Sequence, residues 1–393
     1  MRTAPITAPG LTFVVNNAAF FESHRLPVAL RARSEGFDVR LCTGHEASAT
    51  LAGSAMPRLR SAGIRHQRVA FQSAGMNPLR EAAGLLQLVW HLVRHRPRLV
   101  HCASPKGVLY GGIAARLACT PGVVLAVSGM GFSFTAGQDS WLRRCAGRVW
   151  SAMATFAFGH PNKRVIVQNT DDRDNLLKLG LAQAHELHLI PGSGVDLKRF
   201  VHLPIAGREC LVVLPARLLR DKGVAEFAQA AAIVRALYPQ WRFALVGTAD
   251  YDNPSAVSQA ELAQWQAQGV LEWWGHCEDM ASVLARAAIV CLPSYREGMP
   301  RALLEAAAAG CAVVTTDVTG CRDAVQAGVT GLLVPARDHK ALARALCTLI
   351  TQPDLLRRQA QAGRERAQKM FDIDDVLAST MALYQELNHA RKT

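Results

Sequence analysis

The sequence contains no apolar run long enough to span a membrane. Half of its 393 residues are apolar, but Gly, Pro, Arg or His interrupts each stretch before it reaches the roughly 18 to 20 residues that a spanning helix needs. The first 17 residues contain one Arg and only a short apolar stretch, which is not typical of a secretory signal. These absences predict a cytoplasmic chain that is not an integral membrane protein.

Paired cysteines are also missing. The ten Cys stand singly, without a C-x-x-C pair or the Cys/His spacing of a zinc site, so we expect buried, reduced thiols. The segment from Asp172 to Asp174 formally reads D-x-D, a metal-nucleotide motif. It follows Asn169 at the start of a predicted helix, where acids complement the helix dipole, and we expect no metal there.

Positive charge is concentrated in the first half. Residues 1–200 contain 24 Lys and Arg against 11 Asp and Glu, whereas residues 201–393 contain 20 of each. This excess favours an anionic lipid surface, a lipid-linked diphosphate or nucleic acid as a partner. Nucleic acid is the least supported, because no binding motif accompanies the charge. Residues 141–158 carry Arg, Trp and Phe at helical spacing, which is typical of either a membrane-surface helix or a half-buried one.

Short apolar runs alternate with helical patterns, which predicts an α/β chain with parallel sheets. A length of 393 residues favours two domains, and a Pro- and Gly-containing segment at 191–209 is the predicted linker. Strands are predicted at 11–15, 38–42, 66–69, 99–102, 123–127, 164–168, 187–190, 210–216, 242–246, 270–273, 289–292 and 312–315. Helices are predicted between most of them, for example at 78–95, 224–237 and 281–288, with a final helix over 371–389.

The segment PSYREGMPRALLEA, residues 293–306, reads as a loop followed by a helix. Pro300 suits the first helical position and Gly310 the C-terminal cap, so the loop presents backbone N–H groups to an anion such as phosphate. Glu297 in this loop suits contacts to sugar hydroxyls and a positively charged transition state, and Glu305 can accept bonds from both ribose hydroxyls. Alternatively, both are ordinary helix-terminus and solvated acids.

A second strand-loop-helix segment carries Arg217 and Lys222, with Gly223 opening the helix. Ligands of open α/β sheets bind beyond the carboxyl ends of the strands, where both cations can meet a nucleotide diphosphate and neutralise it in place of a metal. The alternative is two solvated loop cations.

Taken together, these segments resemble a known family. The Glu297 and Glu305 pair, the Arg217 and Lys222 pair, LVGTADYDNP at 245–254 and GSGVDLKRF at 192–200 are similar to the GT-B-fold retaining glycosyltransferases of glycosyltransferase family four. The N-terminal segments at 20–43 and 101–118 resemble members that build bacterial surface polysaccharides or lipid-linked glycans.

The resemblance implies a fold of two Rossmann-like parallel-sheet domains facing a central cleft. Residues 1–195 would bind the acceptor and residues 196–370 the nucleotide-sugar, with a C-terminal helix at 371–393 packing on the first domain. Donor-binding residues would be Arg217, Lys222, Gly247, His276, Gly298, Met299 and Glu305, with Glu297 catalytic beside the donor sugar.

On the acceptor side the resemblance is less dense. Relatives often carry a Gly pair where this chain has Asn16 and Asn17. The candidates after the first strand are Asn17 and Arg25 as acceptor ligands and His24 as a catalytic residue, and after the fourth strand Lys106 is another catalytic candidate. The SGMGF turn at 128–132 occupies an equivalent strand end.

The implied reaction is transfer of a hexose or N-acetylhexosamine from a UDP-sugar to a polyprenyl-diphosphate-linked saccharide, with retained anomeric configuration and without a metal or other cofactor. The enzyme would be peripheral on the inner face of the cell membrane, held by anionic lipid, with no nucleic acid partner. Two alternatives remain open: a UDP-sugar epimerase of GT-B-like fold, and a non-catalytic nucleotide-sugar-binding protein.

Overall fold

The computed structural model describes residues 8–45, 49–72, 77–129, 141–200, 207–249, 251, 253 and 255–389. The chain divides into two compact units. The first unit comprises Met1–Ile190 and Leu377–Thr393, and the second comprises Pro191–Val376. The first boundary lies at the start of the predicted linker.

The first unit is built around a seven-stranded parallel sheet. Its strands are β1 (Gly10–Val15), β2 (Asp38–His45), β3 (Arg65–Gln72), β4 (Leu99–Ala103), β5 (Gly122–Val127), β6 (Lys163–Val167) and β7 (Leu187–Leu189), in the order β3-β2-β1-β4-β5-β6-β7. Its helices are α1 (Ala18–His24), α2 (Leu26–Ser34), α3 (Ala49–Ser61), α4 (Pro78–His95), α5 (Pro105–Leu117), α6 (Trp141–Phe158) and α7 (Thr170–Lys178). A 3₁₀ turn at Ala184–Glu186 precedes β7.

The second unit contains a six-stranded parallel sheet. Its strands are β8 (Glu209–Pro215), β9 (Arg242–Val246), β10 (Glu272–Trp273), β11 (Ala287–Leu292), β12 (Ala312–Thr316) and β13 (Leu332–Val334), in the order β10-β9-β8-β11-β12-β13. The helices that begin in this unit are α8 (Val224–Leu237), α9 (Gln259–Ala267), α10 (Met280–Arg286), α11 (Arg301–Ala309), α12 (Cys321–Ala324), α13 (His339–Thr351), α14 (Pro353–Met370) and α15 (Ile373–His389). A 3₁₀ turn at Arg220–Lys222 precedes α8.

The central strands are apolar along their whole length because helices cover both faces of a parallel sheet. Every residue of β4, β5, β11 and β12 is buried. The twelve predicted strands are all present. Two details of the prediction were wrong: β13 was missed, and the helix predicted over 281–288 ends at Arg286, because the buried Ala287 already belongs to β11.

The last helix, α15, begins in the second unit and ends in the first. Tyr384, fully buried, hydrogen-bonds through its hydroxyl to Nδ1 of His101 on β4 at 2.7 Å. Arg98 donates from Nη2 to the carbonyl of Asn388 at 2.7 Å. These contacts join the C-terminal part of the helix to the first unit.

Among the described residues no helix is both long and apolar enough to cross a membrane. In α6, Ala154, Ala157 and Phe158 are buried while Val149 is exposed, so this helix is half-buried.

Of the described cysteines, which are all free, Cys119 and Cys210 are exposed, contrary to the expectation of burial.

Candidate functional site

Each sheet has one place where the strand order reverses. From β8 the chain adds β9 and β10 on one side and then β11 to β13 on the other, so the reversal lies between the neighbours β8 and β11. In the first unit it lies between β1 and β4. Loops leaving such adjacent strands diverge and open a crevice at their carboxyl ends, which is the usual ligand site of open α/β sheets.

Lys222 and Glu297 meet at this position in the second unit. Lys222 lies in the loop after β8 and Glu297 in the loop after β11, and Nζ lies 2.6 Å from Oε1 in an ion pair that is largely shielded from solvent. Ser294 donates to the same Oε1 at 2.8 Å. The pair explains how a carboxylate can lie in a loop suited to phosphate, because a cation compensates its charge.

Two glycines bring these loops together. Gly223 has φ 71°, and a Cβ there would lie 2.1 Å from the carbonyl oxygen of Pro293. Gly320, after β12, has φ 81°, and its Cβ would lie 2.6 Å from the carbonyl oxygen of Glu297. Both positions therefore require glycine for conformation and for space. The role of Gly320 was not predicted from the sequence.

Tyr295 anchors the Glu297 loop from the side. Its hydroxyl donates to Oε1 of Glu226 on α8 at 2.6 Å, and its backbone N–H donates to the carbonyl of Asp221 at 2.9 Å. The guanidinium of Arg337 lies 4.5 Å from the centre of the Tyr295 ring, a cation–π distance. Burial, together with the bond to Glu226, raises the pKa of Tyr295 to about 12. This cluster could not be predicted from the sequence, because its members are far apart along the chain.

The helix that follows this loop carries Glu305. Arg301 donates to its Oε1 at 2.7 Å, yet burial dominates and raises the pKa of the carboxyl group above its ordinary value. Pro300 is the N-cap of α11, one residue before the predicted position, and no side chain caps the helix. Gly310 ends it in the left-handed conformation as predicted. Because the first N–H groups of an α-helix have no partner within the helix, the start of α11 suits an anion.

The remaining predicted donor residues lie around the same strand ends. Arg217 is exposed after β8, His276 is exposed after β10, and Gly298 and Met299 are partly buried between Glu297 and α11.

Gly247, also predicted to bind the donor, bonds to protein through both backbone groups. Its N–H donates to the carbonyl of Gly275 at 2.8 Å and its carbonyl accepts from Trp273 at 3.0 Å. Because both backbone groups bond to protein, Gly247 is better explained as a residue that joins two loops than as a nucleotide ligand.

In the first unit, Asn16 organises the crevice between β1 and β4. Its Oδ1 accepts from the hydroxyl of Ser104 at 2.7 Å and from the backbone N–H groups of Lys106 and Gly107, each at 3.1 Å. One amide side chain therefore caps α5 and connects the loops after both strands.

Lys106 and Asn17 are occupied with structural contacts. Lys106 donates from Nζ to the carbonyl of Gln72 at 2.7 Å and to Oε1 of Glu81 at 3.0 Å. Asn17 accepts from the N–H of Phe20 at 2.8 Å as the cap of α1. These bonds argue against the predicted catalytic role of Lys106 and the predicted acceptor contact of Asn17.

Arg25 and His24 end the same helix. Arg25 is only 5% exposed, and burial lowers the pKa of its guanidinium to about 10 despite the nearby Tyr384. Its prediction as an acceptor ligand conflicts with this burial. His24 stacks on Phe20 at 4.6 Å and lies 2.6 Å from the hydroxyl of Ser23 through Nδ1, so a local packing role accounts for it.

The D-x-D segment lies near the start of α7, after the N-cap Asn169, as expected. Asp172 is fully buried, and its N–H donates to Oδ1 of Asn169 at 2.7 Å. No group of three or more His, Cys, Asp or Glu side chains within the described ranges is arranged to bind a metal. The SGMGF turn at 128–132 lies partly outside the described residues.

Two family models match the chain, one over most of each unit. Residues 23–193 match the Glycosyl transferase 4-like domain, and residues 209–352 match Glycosyl transferases group 1. The chain belongs to the glycosyltransferases that combine these two domains. The second match contains the Lys222 and Glu297 pair, Glu305 and the reversal point between β8 and β11.

Curated relatives of this glycosyltransferase span most of its length. It is 26% identical over 344 residues to the N,N'-diacetylbacillosaminyl-diphospho-undecaprenol alpha-1,3-N-acetylgalactosaminyltransferase of Campylobacter jejuni, covering 84% of this chain and 88% of the relative. It is 25% identical to the UDP-Gal:alpha-D-GlcNAc-diphosphoundecaprenol alpha-1,3-galactosyltransferase of Escherichia coli, covering 75% and 77%.

Solved structures agree on the fold. The glycosyltransferase superposes on HepE of Anabaena, crystallised with UDP, with a TM-score of 0.75 at 16% identity, covering 96% of this chain and all of the other. The fold is therefore GT-B, with two parallel-sheet α/β domains.

Proposed function

We propose that this glycosyltransferase moves a hexose or N-acetylhexosamine from a UDP-sugar to a polyprenyl-diphosphate-linked saccharide, with retention of anomeric configuration. The observation that carries the proposal is the Lys222 and Glu297 pair at the strand-order reversal of the second unit. The names of the Campylobacter jejuni and Escherichia coli relatives, both of which act on diphospho-undecaprenol-linked sugars, support the choice of acceptor.

The proposed donor site uses cations and a helix end in place of a metal. Arg217, Lys222 and the first N–H groups of α11 bind the diphosphate. Lys222 then exchanges its ion pair with Glu297 for a phosphate oxygen. The released carboxylate faces the sugar, where it stabilises the positive charge that develops at the anomeric carbon. Glu305 accepts hydrogen bonds from the ribose hydroxyls.

In the proposed reaction the bond between the anomeric carbon and the diphosphate oxygen breaks while the acceptor oxygen bonds to the same face of that carbon. The proton of the acceptor hydroxyl passes to the departing diphosphate oxygen. This route requires no protein base, in keeping with the structural contacts that occupy Lys106 in the first unit.

We propose that residues 1–190 and the end of α15 bind the acceptor on the inner face of the cell membrane. The excess of Lys and Arg in residues 1–200 supports this orientation, because anionic lipid attracts basic surfaces.

The test is a panel of UDP-sugars with short polyprenyl-diphosphate saccharides, followed by NMR of the product anomer. We expect transfer from at least one UDP-sugar with the donor's configuration retained. An inverted product would exclude the proposed route. Turnover of UDP-N-acetylglucosamine without any acceptor would favour the epimerase alternative instead.

A further inference from the structure

Helix α4 presents an apolar stripe to solvent. Leu79 is 81% exposed, Leu86 70%, Trp90 65% and Val93 50%. At 3.6 residues per turn these four positions fall within an arc of about 60° and extend about 21 Å along the helix. Exposed apolar side chains are common singly, but an aligned set that includes a Trp is typical of an interaction surface.

The opposite face of α4 explains why the stripe points outward. Gly84 lies so close to β3 that a Cβ would be 2.4 Å from the backbone nitrogen of Phe71. Leu88 and Leu92 are buried on the same side. The helix cannot rotate to bury the stripe without opening this tight contact.

The charges that border the stripe are positive. Arg80 at the start of α4 and Arg94 near its end are exposed, and Arg96 follows the helix. The only acid in the helix, Glu81, is buried and paired with Lys106. An apolar stripe with Trp and flanking Arg is the pattern of a helix that lies in a membrane interface, and anionic head groups complement the arginines.

Helix α6, the candidate from sequence, is less suited to this role. Val149 is exposed, but Phe156 is only 38% exposed and the guanidinium of Arg116 lies 4.4 Å above its ring. The aromatic side chain that would enter lipid is already covered by a cation.

We propose that the outward face of α4, made of Leu79, Leu86, Trp90 and Val93 with Arg80 and Arg94 beside it, docks the first unit on an anionic bilayer. The inference deepens the proposed function, since a polyprenyl-linked acceptor lies in a membrane. Its test uses neither donor nor acceptor, so it can fail or succeed independently of the proposed reaction.

The experiment is sedimentation of the full-length protein with vesicles of equal parts phosphatidylglycerol and phosphatidylcholine. We expect Leu86→Ser/Trp90→Ser to bind at least about tenfold more weakly than the unsubstituted chain. The matched control is Ile233→Ser/Leu237→Ser, which removes two exposed apolar side chains at the same spacing from α8 of the second unit and should bind normally. Arg80→Gln/Arg94→Gln should weaken binding to these vesicles, with a shallower dependence on salt.

A conservative variant provides a readout that does not depend on loss of binding. Lipids brominated near the interface should quench the tryptophan fluorescence of the unsubstituted protein, and Trp90→Phe should still bind but lose most of this quenching. Unchanged sedimentation of Leu86→Ser/Trp90→Ser would overturn the proposal. So would a switch from dimer to monomer in that variant with vesicle binding intact, because the stripe would then contact a second copy of the chain.

Discussion

Glu297 receives two hydrogen bonds on one carboxylate oxygen, from Lys222 and from Ser294. Glu297→Gln keeps an acceptor oxygen for both donors but removes the negative charge. We expect kcat to fall by about 10²- to 10³-fold, the size of effect seen when one charge-stabilising group is lost from a transition state. The effect on KM should be smaller. Steady-state kinetics with the preferred UDP-sugar measure both constants.

The matched control for this variant is Glu365→Gln, an exposed position on α14. It should leave both constants unchanged. Full activity of Glu297→Gln would remove the catalytic role and favour the non-catalytic binding alternative.

Glu305 is expected to affect the stability of the protein and its binding of the UDP-sugar in opposite directions. Burial raises the pKa of its carboxyl group, so the folded state binds a proton more readily than the unfolded state, and the free energy of unfolding falls as pH rises from about 4.5 through the folded value. Glu305→Gln should remove this loss and be more stable than the unsubstituted protein at pH 7.5. It should also raise the KM for the UDP-sugar by about 10- to 100-fold, since the charged hydrogen bonds to the ribose in the proposed donor site would be lost.

Thermal melts at pH 5 and pH 7.5 measure whether stability falls or rises with pH. The stability gain of Glu305→Gln should be larger at pH 7.5 than at pH 5. A gain that is equal at both values would show that the buried charge is not its cause.

Sequence reasoning at the residue scale succeeded where a motif is local. The Glu297 loop, α11 and its Gly310 cap lie in one continuous segment. The contacts of Lys106, Asn17 and Arg25 could not be predicted, because whether a polar side chain reaches a ligand or a neighbouring loop depends on packing such as that between Lys106 and Gln72. No spacing in the sequence reports such contacts.

At the element scale, Gly320 positions the loop of Glu297. Gly320→Ala should destabilise the protein by about 1 to 3 kcal/mol through left-handed strain and overpacking, and should lower kcat because the loop must shift. The matched control is Gly269→Ala, which has a similar φ of 67° but no atom within 4 Å of the added Cβ. Urea unfolding and kinetics of both variants separate the two effects. Equal kcat values in the two variants would contradict the positioning role.

The Tyr295 anchor makes a second prediction about this loop. Tyr295→Phe keeps the ring beneath Arg337 but removes the hydroxyl that bonds to Glu226. We expect kcat/KM to fall by about 3- to 10-fold, as a typical hydrogen bond contributes about 1 kcal/mol. Tyr251→Phe, at an exposed position, is the control. If both variants keep full kcat/KM, the hydroxyl does not position the loop.

Elements were predicted best where apolar runs are long. All strands from β1 to β12 were found, whereas β13 has three residues, two of them only partly buried, and gives little pattern. Amphipathic spacing did not mark α4 as a candidate membrane-facing helix, because α4 has apolar side chains on two faces. The packing of Gly84 against β3 and the burial of Leu88 and Leu92 show which face is exposed.

At the scale of the whole molecule, the two units should respond differently to acid. In the first unit burial lowers the pKa values of His66, His91, His101 and His160. The unfolded chain binds these protons below about pH 6.5, so the first unit loses stability as pH falls from that value toward the folded pKa values. For His91 the folded pKa is about 4. Each group contributes at most about 1.4 kcal/mol per pH unit.

Hydrogen exchange at pH 7.5 and 5.5 measures the protection of peptides from the first unit alone, once the intrinsic pH dependence of exchange is corrected for. His91→Leu should reduce the loss of protection that the first unit shows at pH 5.5. His276→Asn, at an exposed site in the second unit, should leave that loss unchanged. Equal protection at both values would contradict the prediction.

The uneven distribution of charge was visible in the sequence, but the second boundary between the units was not. Residues 191–209 were predicted to join the domains, and the structure divides after Ile190 and again after Val376. The second crossing falls inside α15, and a helix pattern has no break to mark it.

That second crossing makes the C-terminal unit an insertion. Where the chain enters and leaves it, the N–H of Val195 donates to the carbonyl of Phe371 at 2.8 Å and the N–H of Ile373 donates to the carbonyl of Val195 at 3.1 Å, so the two ends of the inserted segment are hydrogen-bonded neighbours. Adjacent ends are what allow a domain to be transplanted or circularly permuted. Residues 191–376 form a continuous domain that could be excised as one segment, whereas the first unit is a discontinuous domain made of two segments.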